Sequence, residues 1–369
     1  MSNGWKLERT HRRGSNMKKP LMAGLAGLLL CVGSDALGQR YIRQTESPEY
    51  ALKVEGESPE KTAGWWKAFQ AANTIGGYCH ELPMMKLADR PAIGDKAVIL
   101  DAGGKAQLVQ LIEIPPGGKT SWHGYGWDGE ALFYVLSGRG ETEFRSHGGL
   151  PTNKYQWRRN SLFAIPVDHE MQHRNLSPTE PLRMLASVGY GINMYPYVAE
   201  ELRSVRQNPA ENEAERARTL SRTTYPGHYV EDLRDHPVAM REARGNKTAF
   251  FNLMATAGHR THPNVHISEL VGDHAYAHKH GNSPMFIILK GGGYDVWSQA
   301  KDLAEYEKAL ASGNTHRADY KVGTLCAVPP GPHWHQHFST DKTEPLRYLA
   351  IVPRGDYEQA PPAAAPEKK

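Results

Sequence analysis

Hydrophobic positions in this chain fall into short runs of β-branched and aromatic residues, separated by Gly, Pro and Asn. The clearest runs are Ala106–Glu113, Leu132–Leu136, Arg183–Val188, Phe286–Leu289 and Leu346–Val352. Runs this short, bounded by turn-forming residues, predict β-strands. Many such strands at close spacing predict an all-β fold of antiparallel sandwiches or barrels.

The runs occur twice in the same order. Thr179–Ala186 recurs as Thr343–Ala350, with seven of eight residues identical. Two earlier pairs of segments also match, namely Asn160–Pro166 with Gly323–Pro329, and Leu132–Gly138 with Met285–Gly291. A repeat this long indicates a duplicated domain rather than a solenoid. The sequence therefore predicts two tandem β-barrels.

Three segments have helical patterns instead. Thr62–Ala72 carries Trp65, Trp66 and Phe69 at helical spacing, which predicts a helix that caps the first barrel with its aromatic side chains in the core. Ala300–Leu310 is an insertion in the second copy. Val198–Arg222, rich in Glu, Arg and Ala, predicts an exposed linker helix between the copies.

These patterns divide the chain into five parts. They are a leader at 1–38, an N-terminal barrel at 60–195, a helical linker at 196–250, a C-terminal barrel at 251–356 and a disordered tail at 357–369.

The leader has the layout of a secretory signal. Lys18 and Lys19 precede an apolar run, Leu21–Val32, and Ala36-Leu37-Gly38 offers a small-x-small cleavage site. The run is too short to span a bilayer, so we expect export, to the periplasm, with no transmembrane segment. Translation starting at Met17 would give a more ordinary signal. The alternative is an apolar N-terminal helix of a cytoplasmic protein.

Charge and cysteine content narrow the function. Residues 1–38 contain six Lys or Arg and two Asp or Glu, which accounts for the formal net charge of +4 and leaves the rest of the chain neutral. A nucleic-acid partner therefore has no electrostatic basis. The chain has three cysteines, and only Cys79 and Cys326 follow the leader. We expect no disulfide scaffold.

Candidate chemistry lies in the second copy. His278 and His280 precede the strand that ends at Gly291, and His335 and His337 follow a Pro-rich turn at 329–332. Residues i and i+2 of a strand project from the same face, so His278 and His280 can direct two imidazoles to one point. A third imidazole from the facing turn would complete a metal site.

These residues resemble the two motifs of the cupin superfamily. The motif residues are His278-x-His280 with Gly291 eleven residues later, Gly323-x5-Pro329-x-Gly331, and His335-x-His337. Two copies make the chain similar to a bicupin over roughly residues 95 to 355, with two jelly-roll, or double-stranded β-helix, barrels. Trp334-His335-Gln336-His337 after the Pro-rich turn most resembles the gentisate and 1-hydroxy-2-naphthoate ring-cleaving dioxygenases.

The resemblance implies that His278, His280 and His335 bind Fe(II), with His337 as an adjacent acid or base. Many cupins add a glutamate, but positions 283 to 286 here are Ser-Pro-Met-Phe, which implies a neutral three-histidine set. Such a set leaves positions for a small aromatic or enolisable substrate and O2. The alternatives are a Mn, Zn or Ni cupin acting as a lyase, isomerase or decarboxylase, and a non-enzymatic binding bicupin. Bicupins also imply a homo-oligomer.

The first copy departs from this pattern. Counted back from Gly138, its two ligand positions are Tyr125 and Trp127, and Met171 matches His335. Only His173, which matches His337, is retained, so the sequence predicts a degraded first site. The alternative is an irregular second cluster, formed by His123, Glu130, His169 and His173.

Three further residues are substrate-binding candidates. Arg347 could bind a substrate carboxylate through a bidentate fork, although Arg183 occupies the matching position in the first copy and favours a structural role. Trp334 and Phe286 could stack on an aromatic substrate, or could belong to the barrel core. His259, His262 and His266 could form another cation site, but an exposed loop is the simpler interpretation.

Overall fold

The computed structural model describes residues 52–101, 107–125, 129–146, 153–165, 169–190, 224–226, 229–241, 245–252, 264–280, 284–328 and 333–352. The predicted leader, the linker helix Val198–Arg222 and the tail lie outside the described residues. No helix among the described residues is long and apolar enough to cross a membrane.

Strands β1 to β13 belong to the N-terminal half of the chain. They are Lys53–Val54, Thr74–Gly76, Cys79–Glu81, Ala88–Arg90, Asp95–Asp101, Gln107–Ile114, His123–Gly124, Gly129–Ser137, Arg139–Ser146, Asn153–Arg158, Leu162–Ile165, His169–Asn175 and Leu182–Tyr190. One sheet has the order β1-β7-β12-β9-β10. The strands β11-β8-β13-β6-β5-β2 form the second, with β4 paired to β5.

Strands β14 to β25 belong to the C-terminal half. They are Thr224–Pro226, Tyr229–Val230, Ala239–Arg241, Asn246–Asn252, Asn264–Leu270, His278–Lys279, Met285–Lys290, Gly292–Gln299, His316–Lys321, Thr324–Ala327, His333–Ser339 and Arg347–Val352. The strands β14-β17-β18-β25-β20-β23 form one sheet, with β16 paired to β17, and β19-β24-β21-β22 form the other.

Three apolar layers hold the four sheets together. One cluster fills the N-terminal barrel, a second fills the C-terminal barrel, and a third lies between the two large sheets. Successive residues of one strand serve different layers: Leu132 lies in the layer between the barrels and Phe133 inside the N-terminal barrel. Because both faces of the large sheets are covered, central strands such as Met285–Lys290 carry a continuous apolar run. The predicted all-β fold with two tandem barrels is confirmed.

The two helices match their predictions. Helix α1, Pro59–Asn73, begins after Ser58, whose side chain accepts a hydrogen bond from the Lys61 backbone, and it buries Trp66 and Phe69 in the N-terminal core. Helix α2, Leu303–Ser312, occupies the predicted insertion. It starts at the Asp302 cap and ends at Gly313, whose φ of 73° suits a residue without a side chain.

The halves exchange edge strands. Strand β3 pairs with β23 of the C-terminal sheet, and β15 pairs with β11 of the N-terminal sheet. Each exchanged segment ends in a leucine whose backbone N–H donates across the contact, Leu82 to the Gly323 carbonyl and Leu233 to the Asn160 carbonyl. Both leucines are buried in the layer between the barrels.

A disulfide reinforces one of these contacts. Cys79 in β3 is bonded to Cys326 in β23, although the two are 247 residues apart in sequence. The expectation that no disulfide holds this fold was therefore wrong. Two cysteines cannot form a framework, but the strand exchange makes them direct cross-strand neighbours.

Candidate metal centre in the C-terminal barrel

Two short strands bring the predicted histidines together. In the antiparallel pair β19–β24, His278 lies opposite His335. Their ring centroids are 4.3 Å apart, and that of His337 is 4.9 Å from His335. His335 and His337 share a strand face because they are two residues apart. The histidines of the two sequence motifs therefore lie together, and which three of them bind a metal stays a prediction.

Nitrogen atoms of His278, His335 and His337 all lie within 4.8 Å of one another, a spacing that one metal ion can bridge. His280 is adjacent as well, with its ring 4.9 Å from His278 and 5.3 Å from His335. Four imidazoles thus surround one point, and two different triads share His278 and His335.

The Nδ1 atoms of the shared pair already have acceptors. His278 Nδ1 lies 3.1 Å from the Tyr276 carbonyl oxygen, and His335 Nδ1 lies 3.1 Å from a carboxylate oxygen of Asp295. An imidazole that donates from Nδ1 presents Nε2 to a metal, and such acceptors orient the ring and increase its basicity. The donor set therefore fits a first-row transition metal.

Asp295 lies at the centre of this support. It is fully buried on β21, directly opposite His337, and its carboxylate is 3.6 Å from His337 Nδ1. Burial raises the pKa of Asp295 to about 6. The Tyr78 hydroxyl donates a hydrogen bond to the same carboxylate, and the Tyr78 ring stacks on Trp297 at 3.8 Å.

Sequence reasoning missed both residues. Tyr78 precedes Cys79 in the exchanged strand, so only the strand exchange brings it to a site more than 200 residues away. Asp295 carried a weak signal: it is a single acidic residue at an inward position of an otherwise uncharged run, Gly291–Gln299. Such a position favours a buried, partnered carboxylate.

His337 lies among aromatic rings. Its ring is 4.5 Å from Tyr348 and 4.8 Å from Phe286. Burial lowers the pKa of His337 to about 3, and the Asp295 carboxylate opposes that shift only in part. His337 is therefore neutral at physiological pH and has no imidazolium proton to release.

The substrate-binding prediction for Arg347 was wrong. Its side chain is buried and forms a fork on Glu269, with N···O distances of 2.6 and 2.8 Å. The remaining Nη1 donates to three backbone carbonyls, those of Leu233, Arg234 and His236. These contacts use both edges of the guanidinium. Arg347 therefore binds the backbone that follows strand β15 rather than a substrate.

The two aromatic candidates have different outcomes. Trp334 alternates with His335 along β24, so it faces away from the histidine cluster, towards Tyr306 and Lys279. The prediction that it could stack on a substrate at the metal is not compatible with this orientation. Phe286 lies in the C-terminal core cluster and lines the His337 side of the site.

His266 also differs from its sequence interpretation. It lies in strand β18, half-buried, with its ring 5.2 Å from Phe250, and not in an exposed loop. His259 and His262 lie outside the described residues.

The first copy aligns differently from the prediction. His123 lies opposite Met171, as His278 lies opposite His335. His123 and Tyr125 are therefore the equivalents of His278 and His280, and counting back from Gly138 was wrong by two residues. Trp127 and the Glu130 side chain lie outside the described parts of the chain. The matches of Met171 to His335 and His173 to His337 agree with the strand register.

His123 and His173 do come together, with ring centroids 5.5 Å apart and both side chains buried. Burial lowers the pKa of His123 to about 4 and that of His173 well below its usual value. His169 contacts Phe144 instead, at 5.8 Å. Only part of the irregular second cluster is thus assembled among the described residues.

Comparisons with known proteins concern the fold. No protein-family model matches the sequence, and a search of curated proteins found no match. Among solved structures, an oxalate decarboxylase from Lactobacillus farciminis, in a formate complex, is 11% identical and has a TM-score of 0.49, over 76% of this chain and 87% of that chain.

Two other matches are similar in extent. The vicilin of Corylus avellana is 12% identical with a TM-score of 0.45, over 75% of this chain and 85% of its own. A mutant oxalate decarboxylase from Bacillus subtilis is 14% identical with a TM-score of 0.46, over 77% of this chain and 78% of that chain. Vicilins and oxalate decarboxylases are bicupins. At such TM-scores these likenesses carry no argument about chemistry, which must come from this chain's own residues.

Proposed function

We propose that the C-terminal barrel is a non-haem Fe(II) dioxygenase site, acting on a small aromatic or enolisable substrate. The observation that carries this proposal is the convergence of histidines around His278 and His335, with Asp295 behind His335 as a hydrogen-bond acceptor. His278, His280 and His335 are the proposed ligands. Bound iron would supply the electron transfer between an electron-rich substrate and O2.

The neutral donor set supports iron redox chemistry over a site built on a carboxylate ligand. Pro284, Met285 and Phe286 occupy the positions where a ligand glutamate is expected in other cupins. The Asp295 carboxylate is engaged by Tyr78 and His335. A chain that contributes only imidazoles leaves two charges of a divalent ion for an anionic substrate to balance.

The surrounding residues define what the substrate meets. Phe286 and Tyr348 place aromatic walls beside His337, which excludes water from that side. His337 lies beside these rings and is the proposed acid/base residue that moves the proton of a phenolic or enolic substrate as the substrate binds. Its Nδ1 neighbour Asp295 would stabilise the imidazolium that results.

Oxygen uptake tests the activity. The mature protein, purified without oxygen and without a His tag, is loaded with Fe(II) and supplied with phenols and β-diketones. Because both atoms of O2 enter the substrate, one O2 should be consumed per substrate with no added reductant. Turnover without O2 under Mn, Zn or Ni would replace this function with a lyase, isomerase or decarboxylase. A folded protein that binds substrate but no metal would support the alternative of a non-enzymatic binding bicupin.

Single variants assign the third ligand. His280→Ala should lose iron, whereas His337→Ala should keep iron and lose oxygen uptake, with the greatest loss at low pH where the substrate is protonated. The reverse pattern would make His337 the ligand and remove its acid/base role. Trp334→Ala serves as a matched control on the same strand, since that side chain faces away from the cluster.

We also propose that the protein is exported to the periplasm. The Cys79–Cys326 disulfide supports an oxidising compartment, since disulfides are rare in the cytoplasm of most organisms. Intact-mass analysis of the purified protein tests this: export predicts a mature N-terminus near Gln39. An uncleaved chain found in the cytoplasm with both thiols reduced would contradict it.

A further inference from the structure

The N-terminal barrel contains a second pair of buried imidazoles that the proposed iron site does not use. His123 is 1% exposed and His173 is fully buried, and their rings are 5.5 Å apart. A transition-metal bond to an imidazole nitrogen is about 2.0–2.1 Å long, so rings at this separation can share one ion.

The Nδ1 atom of each imidazole has a hydrogen-bond partner that orients the ring. His123 Nδ1 donates to the Ser121 carbonyl oxygen at 2.9 Å, which leaves the lone pair on Nε2. His173 Nδ1 lies 2.7 Å from the Thr142 hydroxyl, which also accepts a hydrogen bond from the Trp157 indole at 2.8 Å. Thr142 occupies the register position of Asp295, so both barrels support this histidine from the same strand.

The Nε2 atoms of His123 and His173 are buried and have no hydrogen-bond partner among the described residues. Buried polar atoms without partners are uncommon in folded proteins, because each costs free energy that a ligand can recover. Two such atoms on neighbouring rings indicate a ligand that both can bind.

Met171 is the candidate for a third donor because of its position in the strand pairing. It lies opposite His123 in the strand pairing and shares a face of β12 with His173, two residues away. Its side chain is 1% exposed and belongs to the interior cluster of this barrel. In the C-terminal barrel the same register position carries His335.

The electrostatic surroundings favour a cation of low charge. The buried Arg90 guanidinium is connected to this site through Gln110, which accepts a hydrogen bond from Arg90 and donates one to the Tyr125 hydroxyl; the Tyr125 ring lies 6.2 Å from that of His123. Asp95, the partner of Arg90, is held by two hydrogen bonds, at 2.6 and 2.8 Å, so that this carboxylate is engaged. A divalent ion on neutral ligands near this arginine would meet more repulsion than a monovalent ion.

We propose that His123, Met171 and His173 form a binding site for a soft monovalent cation, Cu(I). Two imidazoles and a thioether are the donors that such an ion prefers, whereas a thioether contributes little to Zn(II) or Fe(II) binding. The site is independent of the iron centre proposed for the other barrel.

Competition with bicinchoninate under argon tests the proposal, with ascorbate as reductant so that the disulfide stays intact. The background is the mature chain, which lacks Cys31, with His278→Gln and His335→Gln to remove two ligands of the proposed C-terminal metal site. The expected result is one Cu(I) per chain, undisturbed by equimolar Zn(II). Met171→Leu should lower the Cu(I) affinity about tenfold or more, and His173→Ala should abolish binding.

Met184→Leu is the matched control, because Met184 is buried in the same interior cluster but lies on another strand, β13. It should leave the affinity unchanged. Failure to compete for Cu(I), an equal affinity for Met171→Leu and Met184→Leu, or displacement by Zn(II) would each overturn the proposal.

X-ray absorption of the Cu(I)-loaded mature protein keeps the test usable if the double variant folds poorly. One sulfur scatterer should disappear in Met171→Leu. Spectra without a sulfur scatterer in the parent would exclude the site. Loss of iron binding in the C-terminal barrel would not bear on either result.

Discussion

The two barrels share an arginine–glutamate pair but differ in the residues around their histidines. Arg183 pairs with Glu113 at the register position where Arg347 pairs with Glu269, and each arginine also donates to backbone carbonyls of an exchanged segment. The inward positions at the barrel end instead differ: His335 corresponds to Met171 and Asp295 to Thr142. The arginine–glutamate pairs are thus duplicated, and His123 and His173 match His278 and His337, whereas Met171 and Thr142 occupy the positions of His335 and Asp295.

The largest expected difference concerns the exchanged strands. In the C-terminal sheet the contact is covalent, through Cys79 and Cys326, whereas the equivalent pair in the N-terminal sheet is Tyr229 and Phe163. Replacing both cysteines by serine should lower the free energy of unfolding by about 4 kcal/mol, because the bond closes a very long loop. Urea denaturation measures this. Unchanged stability, with two free thiols in the native parent, would contradict it.

The duplicated arginines come next. Arg347→Ala should cost about 3 kcal/mol, because it leaves Glu269 buried with only Lys247, at 3.5 Å, as a partner. Arg183→Ala should cost less, about 1–2 kcal/mol, since its pair with Glu113 is partly exposed. Denaturation of both variants tests the ranking. A change in substrate KM with unchanged stability for Arg347→Ala would restore its substrate-binding role.

One glycine position should tolerate no side chain in either barrel. A Cβ at Gly293 would overlap the Phe338 carbonyl oxygen, and one at the equivalent Gly140 would overlap Trp157. Either Gly→Ala change should cost about 2 kcal/mol. Gly292→Ala is the control, because its Cβ would lie 3.5 Å from the Tyr320 carbonyl oxygen and should be tolerated. Equal stabilities for all three variants would refute the shared packing.

The last comparison concerns metal affinity rather than stability, and it distinguishes a residue that orients a ligand from the ligands themselves. Asp295→Asn keeps the volume but weakens the acceptor for His335 Nδ1, so iron affinity should fall about 10–100-fold with little change in fold. Thr142→Val, at the equivalent position, should leave iron affinity unchanged. Equilibrium dialysis of Fe(II) under argon measures both. An equal loss of affinity in the two variants would mean that the effect is not local to the C-terminal site.

Local patterns predicted the elements well. Continuous apolar runs such as Leu132–Leu136 predicted central strands, and the insertion in the second copy predicted helix α2. The strand exchange and the disulfide depend on contacts between distant segments, which no local pattern contains. For the same reason the Arg347 prediction failed: its partner Glu269 is 78 residues away.

The sequence predicted some of the site residues and missed others. The i, i+2 spacing predicted that His278 and His280 lie together, whereas the three histidines with the closest nitrogen atoms are His278, His335 and His337. Counting across a turn failed in the first copy, because two extra residues separate Tyr125 from Gly138 relative to the second copy. Tyr78 and Asp295 could not be predicted as a pair, since the strand exchange creates their contact.

Iron content of three proteins purified without oxygen tests the central claim most directly. The wild-type chain and a His123→Ala/His173→Ala variant should each retain about one iron, because the N-terminal pair is not part of the proposed iron site. A His278→Ala/His335→Ala variant of unchanged circular dichroism should retain none. Iron that is lost from the His123→Ala/His173→Ala variant, or that persists without His278 and His335, would contradict the assignment of the metal centre to the C-terminal barrel.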